Sequence, residues 1–444
     1  MSRVVVPAGV LCELMAILTG SPLLSYMACS LFVFHFTQVF LRLEWYARIL
    51  ASVTVVTLVM LALLGKLTWP LLGKAAESAA FFATFLGSLG LMQLLVRRFE
   101  FLRRIHDALL SGRTTLLYPK YAITSFGVAS VLSFGVLNML CGGLAQTLDQ
   151  RQIEGQARLD WLRSLLGVTL RGFALVPLVA PTSVAVAIIT REVPALSWSS
   201  LVPYTAVAAL LFLAVGSVLE RHRFKAISGQ RVHLGGIPAG TSVLLAFVGT
   251  LFGGIGLLVF WTPLNVSRAA MILVPVLTVF YLLVRERRPS ALARELTSNM
   301  LSQSNEMMIF ASSAALGGTL ASLVPAQVIG AAFVSPQGEF AFAVTGMLIL
   351  PAAAAIGIAP MAVLSFLAGI LAQFQSMGLS PLTGGAGLAI GFSLAMMLSP
   401  FGPSVMILAR FGRISKFTVA FGWNGFFTLA ALPLMLVLLA WMAW

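Results

Sequence analysis

Long apolar runs separated by short polar breaks dominate the chain. They fall at about 4–19, 22–41, 49–65, 75–96, 121–146, 164–190, 200–219, 241–260, 269–284, 304–324, 338–357, 360–376, 382–409 and 417–443. Runs of this length, without the two-residue alternation of a strand, predict helices that cross a bilayer at about 20 residues each. Only helices and closed barrels satisfy their backbone in lipid, and a barrel shows alternating segments of about ten residues. The expectation is an all-α polytopic membrane protein of about 11 to 13 helices. The run 4–19 is short, and Gly20, Ser21 and Pro22 divide it from the next. The runs 164–190 and 382–409 are long, and Pro and Gly interrupt both near the middle.

Composition supports the pattern. Charged residues make up 9% of the 444 residues and hydrophobic ones 59%, too few charges to cover a soluble protein, which has about 25%. The net charge of +14 reads as topology, not as nucleic-acid binding, because the basic residues sit between apolar runs. They form five clusters: Arg42 and Arg48; Arg97, Arg98, Arg103, Arg104, Arg113 and Lys120; Arg221, Arg223, Lys225 and Arg231; Arg285, Arg287, Arg288 and Arg294; Arg410, Arg413 and Lys416. No loop holds a soluble domain, and no P-loop motif occurs. Cys12, Cys29 and Cys141 lie in apolar stretches without metal or disulfide spacing. Arg3 alone is a thin basic start and Glu13 interrupts the first run, so a cleavable signal is not expected.

If all basic clusters face the cytoplasm, the three runs between the second and third clusters leave an odd count. One of them then enters and leaves by the same face, and the broken run 164–190 is the candidate re-entrant element.

A shift of 219 lays residues 172–191 on 391–410 without a gap. Gly172 meets Gly391, Phe173 meets Phe392, Pro181 meets Pro400, Val186 meets Val405, Ile188 meets Ile407 and Arg191 meets Arg410. Matching interrupted segments, one per half, are the sequence pointer to the binding site of a secondary transporter. A broken helix frees backbone N–H groups at a half-helix N-terminus, which suit an anion, and carbonyls that suit a cation. The breaks read Val179-Ala180-Pro181-Thr182-Ser183 and Leu398-Ser399-Pro400-Phe401-Gly402-Pro403-Ser404. The expected organisation is N-terminal membrane segments over 1–48, a first repeat over 49–232 and a second, inverted repeat over 233–444.

The stretch Asn305 to Leu320 and the run from Gly357-Ile358-Ala359-Pro360 through Ser399-Pro400-Phe401-Gly402 resemble the ion transporter superfamily. These are bacterial secondary carriers, including dicarboxylate, citrate, gluconate and arsenite permeases and the large membrane subunit of tripartite carriers. The resemblance implies a midplane site lined by both breaks, one domain moving against a dimerising scaffold, and so a homodimer; a periplasmic solute-binding protein is a partner of its tripartite branch. The sodium-dicarboxylate branch carries Ser-Asn-Thr at the site. This chain has Pro-Thr-Ser and Pro-Phe-Gly-Pro-Ser instead.

Ionisable residues at membrane depth are functional candidates. Arg171, ten residues before Pro181, either pairs with an anionic substrate or snorkels to the membrane edge. Glu306 beside Asn305 is the candidate for a coupling ion, or a carboxylate starting a helix. Glu13 and Glu77 read as helix-end residues, His35 as a packing histidine with a proton relay as the alternative, and Asn138 and Asn424 as groups that hydrogen-bond between helices or touch substrate. The Gly317-Gly318 and Gly384-Gly385-Ala386-Gly387 pieces read as close helix contacts. No zinc-protease, redox or nucleophilic triad arrangement appears, so an enzyme is not expected.

The expected function is secondary transport of a small organic anion across a bacterial inner membrane, coupled to H⁺ or Na⁺. The substrate-lining residues are Arg171, Pro181, Thr182, Ser183, Ser399, Pro400, Gly402 and Ser404, and the coupling-ion residues Asn305 and Glu306. No cofactor is expected beyond Na⁺ as one of the two coupling ions. The alternative is a non-transporting component of an export or assembly complex, or a lipid-acting membrane enzyme.

Overall fold

The computed structural model describes residues 2–96, 117–132, 135–150, 152, 154–228, 241–325, 335–375 and 377–444. Arg97, Arg98, Arg103, Arg104, Arg113 and Arg231 of the basic clusters lie outside these. The first half runs α1 (Ser2–Thr19), α2 (Pro22–Val39), α3 (Trp45–Leu63), α4 (Trp69–Leu89), α5 (Met92–Val96), α6 (Leu117–Leu132), α7 (Gly135–Gln150), α8 (Gly155–Phe173), α9 (Val176–Val179), α10 (Val184–Glu192) and α11 (Trp198–Ser228). The second runs α12 (Thr241–Trp261), α13 (Val266–Glu286), α14 (Pro289–Ser302), α15 (Ser304–Ser322), α16 (Pro336–Ala355), α17 (Pro360–Gln375), α18 (Pro381–Leu398) and α19 (Pro403–Gly412). It ends in a π-helical stretch, Thr418–Trp423, and α20 (Asn424–Ala443).

The protein is an all-α, multi-pass membrane protein. Among the described residues, nine helical stretches are long and apolar enough to cross a bilayer, and three shorter apolar helices accompany them. Local chemistry sets many starts. Thr68, Asn265 and Ser335 each accept from a backbone N–H three residues on, which satisfies a donor that the first turn leaves free. Pro22, Pro381 and Pro403 stand at or near the first helical position, where their missing N–H costs nothing. On α3 the residues facing outward are apolar: Val53, Val55, Val56, Val59 and Met60 are all exposed, as lipid contact requires.

Within the core, helices meet through small residues. A Cβ on Gly387 would stand 2.5 Å from the Ala343 carbonyl oxygen, and one on Gly391 2.8 Å from Met347 Cα. The backbones of α16 and α18 therefore touch. Gly317 brings α15 equally close to α17, where a Cβ would meet the Ala362 carbonyl oxygen at 2.6 Å. The glycine-rich pieces are close helix contacts, as their sequence indicates.

Two expectations change. The apolar run 121–146 is not one span, because it divides into α6 and α7. The run 164–190 does not turn back on itself: α10 packs on α17 and α18, not on α8. Residues 155–192 form a broken helix whose pieces continue in different company.

A helix start recurs at the 219-residue spacing: Val184 and Pro403 each open a helix. The packing is reciprocal as well. The short helix α10 of the first half lies on α17 and α18 of the second, and α19 of the second lies on α7 and α8 of the first. Where the halves meet, the Ser393 hydroxyl donates to the Ala174 carbonyl, a pair separated by 219 residues.

Candidate functional site

The first break spans Ala174 to Ser183. Several of its carbonyls are taken up by the protein. The Leu178 carbonyl accepts from the Thr205 hydroxyl, the Val179 carbonyl from the Trp198 indole at 3.1 Å, and the Ala180 carbonyl from the Ser183 N–H at 3.1 Å. Thr182 donates its hydroxyl to the Ser130 carbonyl. Ser183, only 2% exposed, caps α10 by accepting from Ala185 N–H at 3.2 Å and Val186 N–H at 3.4 Å. Pro181 is buried between them.

The second break spans Ser399 to Gly402. Ser399 donates to the Ala354 carbonyl at 3.0 Å, and Ser404 reaches back to the Met396 carbonyl at 2.8 Å. Both are nearly buried, as is Pro400. Here α19 begins on Gly402 with no side-chain cap and with Pro403 in its first turn. Phe401 and Gly402 are half-buried and Pro403 is exposed. The Lys416 ammonium stands 4.0 Å from the centre of the Phe401 ring. The Phe401 ring also stands against the turn at Gly357, where a Cβ would meet its Cδ2 at 3.3 Å and whose φ of +94° suits glycine. The second break thus joins an uncapped helix N-terminus to a cation, two features that favour an anion.

Arg171 lies in α8 and is 5% exposed. It donates from Nη1 to Glu220 Oε1 at 2.9 Å, from Nε to Asn424 Oδ1 at 3.1 Å and from Nη2 to the Trp423 carbonyl at 2.9 Å. Its guanidinium also stands 4.6 Å above the Phe427 ring. Glu220 in turn accepts from Arg223 at 3.0 Å. Three helices and the π-helical stretch are tied at one buried charge, and its hydrogen-bonding face is turned to protein groups. Neither of the roles read from sequence, substrate contact or snorkelling to the edge, describes this placement.

Asn305 and Glu306 open α15, whose principal neighbours are α3, α4 and α17 and not the short helices after the breaks. Asn305 Oδ1 accepts from the Glu44 N–H at 2.8 Å, and Glu306 is exposed. His35 meets Ser304 Oγ at 2.9 Å through Nε2. Asn424 belongs to the Arg171 group, whereas Asn138 is exposed. The structure therefore gathers Thr182 and Ser183 at one break and Ser399, Gly402 and Ser404 at the other, and leaves Asn305 and Glu306 elsewhere. Lys416 escaped sequence reading as a site residue because it sits in a basic loop; the rings it meets are those of Phe401 and the adjacent Phe417.

No protein-family model matches the chain, and no curated protein matches it. Among solved structures, the chain is similar to the YdaH transporter of Alcanivorax borkumensis, a protein described as having an unusual topology. The two share 16% identity with a TM-score of 0.56, over 89% of this chain and 96% of that one. At this identity the likeness is one of fold, and it extends over nearly the whole of both chains.

Proposed function

We propose that this protein is a secondary active transporter that moves a small organic anion across a bacterial inner membrane, driven by H⁺ or Na⁺. The observation that carries the reading is the pair of helix breaks at Pro181 and Pro400, matched at the repeat spacing and each followed by a short helix packed on the opposite half. Interrupted helices of this kind at corresponding positions supply the midplane sites of secondary carriers. The fold likeness to a transporter agrees with it. In this reading the two halves are inverted repeats.

The anion is held at the second break, by the free N–H groups at the start of α19 and by the Lys416 ammonium. Ser399, Pro400, Gly402 and Ser404 shape that cradle. Pro181, Thr182 and Ser183 form the opposite wall, and Arg171 holds the first broken helix in register with α11 and α20 from behind.

The test is uptake by proteoliposomes offered mono-, di- and tricarboxylates under an imposed pH or Na⁺ gradient. A gradient should drive accumulation of at least one class, and Lys416→Ala and Ser404→Ala should reduce it. Absence of gradient-driven uptake across the whole panel would sink the reading.

A further inference from the structure

Among the described residues, the least exposed carboxyl group takes no part in the site above. Glu13 sits two-thirds of the way along α1, an apolar helix, and is 3% exposed. Its Oε2 is buried and has no hydrogen-bond partner. Helix α1 is fixed against α2 and α4: a Cβ on Gly9 would touch the Phe32 ring at 3.0 Å, and one on Gly87 would touch Val10 at 3.1 Å. The carboxyl group therefore has little freedom to swing out to water. An ionised carboxylate left without a partner at such a place is strongly disfavoured, and the group must hold a proton or another cation, or meet an opposing charge.

The groups around it come from every side. Ser25 stands against the carboxyl from α2, and Arg191, Glu77 and Arg268 act on it from α10, α4 and α13. Cys29 on α2 lies in its field as well. The remaining neighbour, α14, contributes no charge to this set among the described residues. Burial falls off outward from Glu13. Glu77 and Arg191 are half-buried and Arg268 is exposed, so the group runs from an enclosed carboxyl to the surface. Arg191 is held to α4 by its guanidinium, 4.3 Å above the Phe81 ring.

Arg191 is also the basic residue in the last turn of α10, the short helix that begins at the first break. Any change in the charge of Glu13 changes the force on Arg191, and Arg191 moves with α10.

We propose that Glu13 is a proton-binding site of this protein and that its protonation state is passed through Arg191 to the first broken helix. The step is one of proton exchange only: the carboxylate takes up a proton from one side and later releases it. While Glu13 is charged it attracts Arg191 and holds α10 toward α1. When it is protonated that attraction is gone, and α10 is held by Phe81, by the pull of Glu77 on Arg191 and by its packing on α17 and α18, while the neighbouring Glu192 acts on Arg191 in both states. The proposal rests on the transport reading only for the use made of the proton; the site and its link to α10 stand apart from any substrate.

The test uses the full chain in lipid nanodiscs and needs no transported solute. Infrared difference spectra between acidic and alkaline buffer should show the carbonyl band of a protonated carboxylic acid. E13Q should lose the band and E13D should keep one, shifted. Hydrogen–deuterium exchange over residues 184–192, corrected for the intrinsic pH dependence of exchange, should differ between the two buffers in the parent protein. E13Q should show the acid pattern in both buffers. R191Q should keep the infrared band and lose the exchange difference. A band unchanged in E13Q removes Glu13 as the proton site, and exchange over α10 that ignores both pH and E13Q removes the link. Either result leaves the transport reading standing. Proteoliposomes that accumulate no anion while the band and the exchange difference persist would remove the transport reading alone.

Discussion

At the first break, Ser183 caps α10, Thr182 and Thr205 bond carbonyls on neighbouring segments, and the Trp198 indole closes the Val179 carbonyl. At the second, α19 starts on a glycine without a side-chain cap, its proline is exposed, and a lysine stands over the adjoining ring. The two occupy corresponding places in the halves. One has several of its freed carbonyls and its first helix N–H groups bonded within the protein, and the other starts its helix on a half-buried glycine with no side-chain cap. Matching position at the 219-residue spacing thus does not mean equivalent chemistry. A backbone break is only an opportunity for binding, and the nearby side chains decide whether it is spent internally or left for a ligand.

Substitutions can break or sharpen this contrast. The largest effect is expected at the ion pair behind the first break. Glu220→Gln leaves Arg171 buried with no counter-charge, which costs about 3–5 kcal/mol; thermal unfolding in detergent should show it as a large drop in Tm. Arg171→Met should cost less, because Glu220 keeps Arg223 at 3.0 Å, and a reversed order would mean that Arg171 is not the side in need of compensation. Thr182→Val strips the donor from the Ser130 carbonyl, and a buried acceptor left unmade costs about 1–3 kcal/mol. Ser183→Ala removes the cap from α10 at about 1 kcal/mol, again read by thermal unfolding. The smallest change is Gly402→Ser, which supplies α19 with the missing cap and should alter stability by only a few tenths of a kcal/mol. In the transport reading the same substitution fills donors meant for the anion, so uptake should fall while stability holds. A Gly402→Ser protein that transports as well as the parent would erase the distinction between the two breaks.

Much of the architecture was legible in the chain. Pro181 and Pro400 mark real interruptions, where a proline's missing N–H coincides with a break, whereas Pro7, Pro203, Pro275, Pro351 and Pro433 stand inside continuous helices. Gly317, Gly384 and Gly387 mark helix contacts for want of a Cβ. The division of 121–146 was not legible: Gly127, Gly135, Gly142 and Gly143 are as compatible with a packed span as with a bend, and only neighbours decide. The partners of Arg171 lie 49 and 253 residues away in Glu220 and Asn424, and no local pattern announces such a pair. Glu13 looked like a helix end because its own helix is short. It is enclosed by α2 and α4, whose arrival is a tertiary fact. Glu306 shows the converse, a carboxylate in a promising run that the fold turns outward.

In the proposed reading of two inverted repeats, Ser393 and Ala174 are one position seen in both halves, and they touch. In an assembly of two copies about a twofold, ordinary contacts come in pairs, and only a position on the axis meets itself. That contact happens once. Here one copy supplies the hydroxyl and the other the carbonyl, so the bond has a direction that no exchange of the halves can preserve. A chain built of two matching parts thus carries at its centre a marker that tells the first from the second.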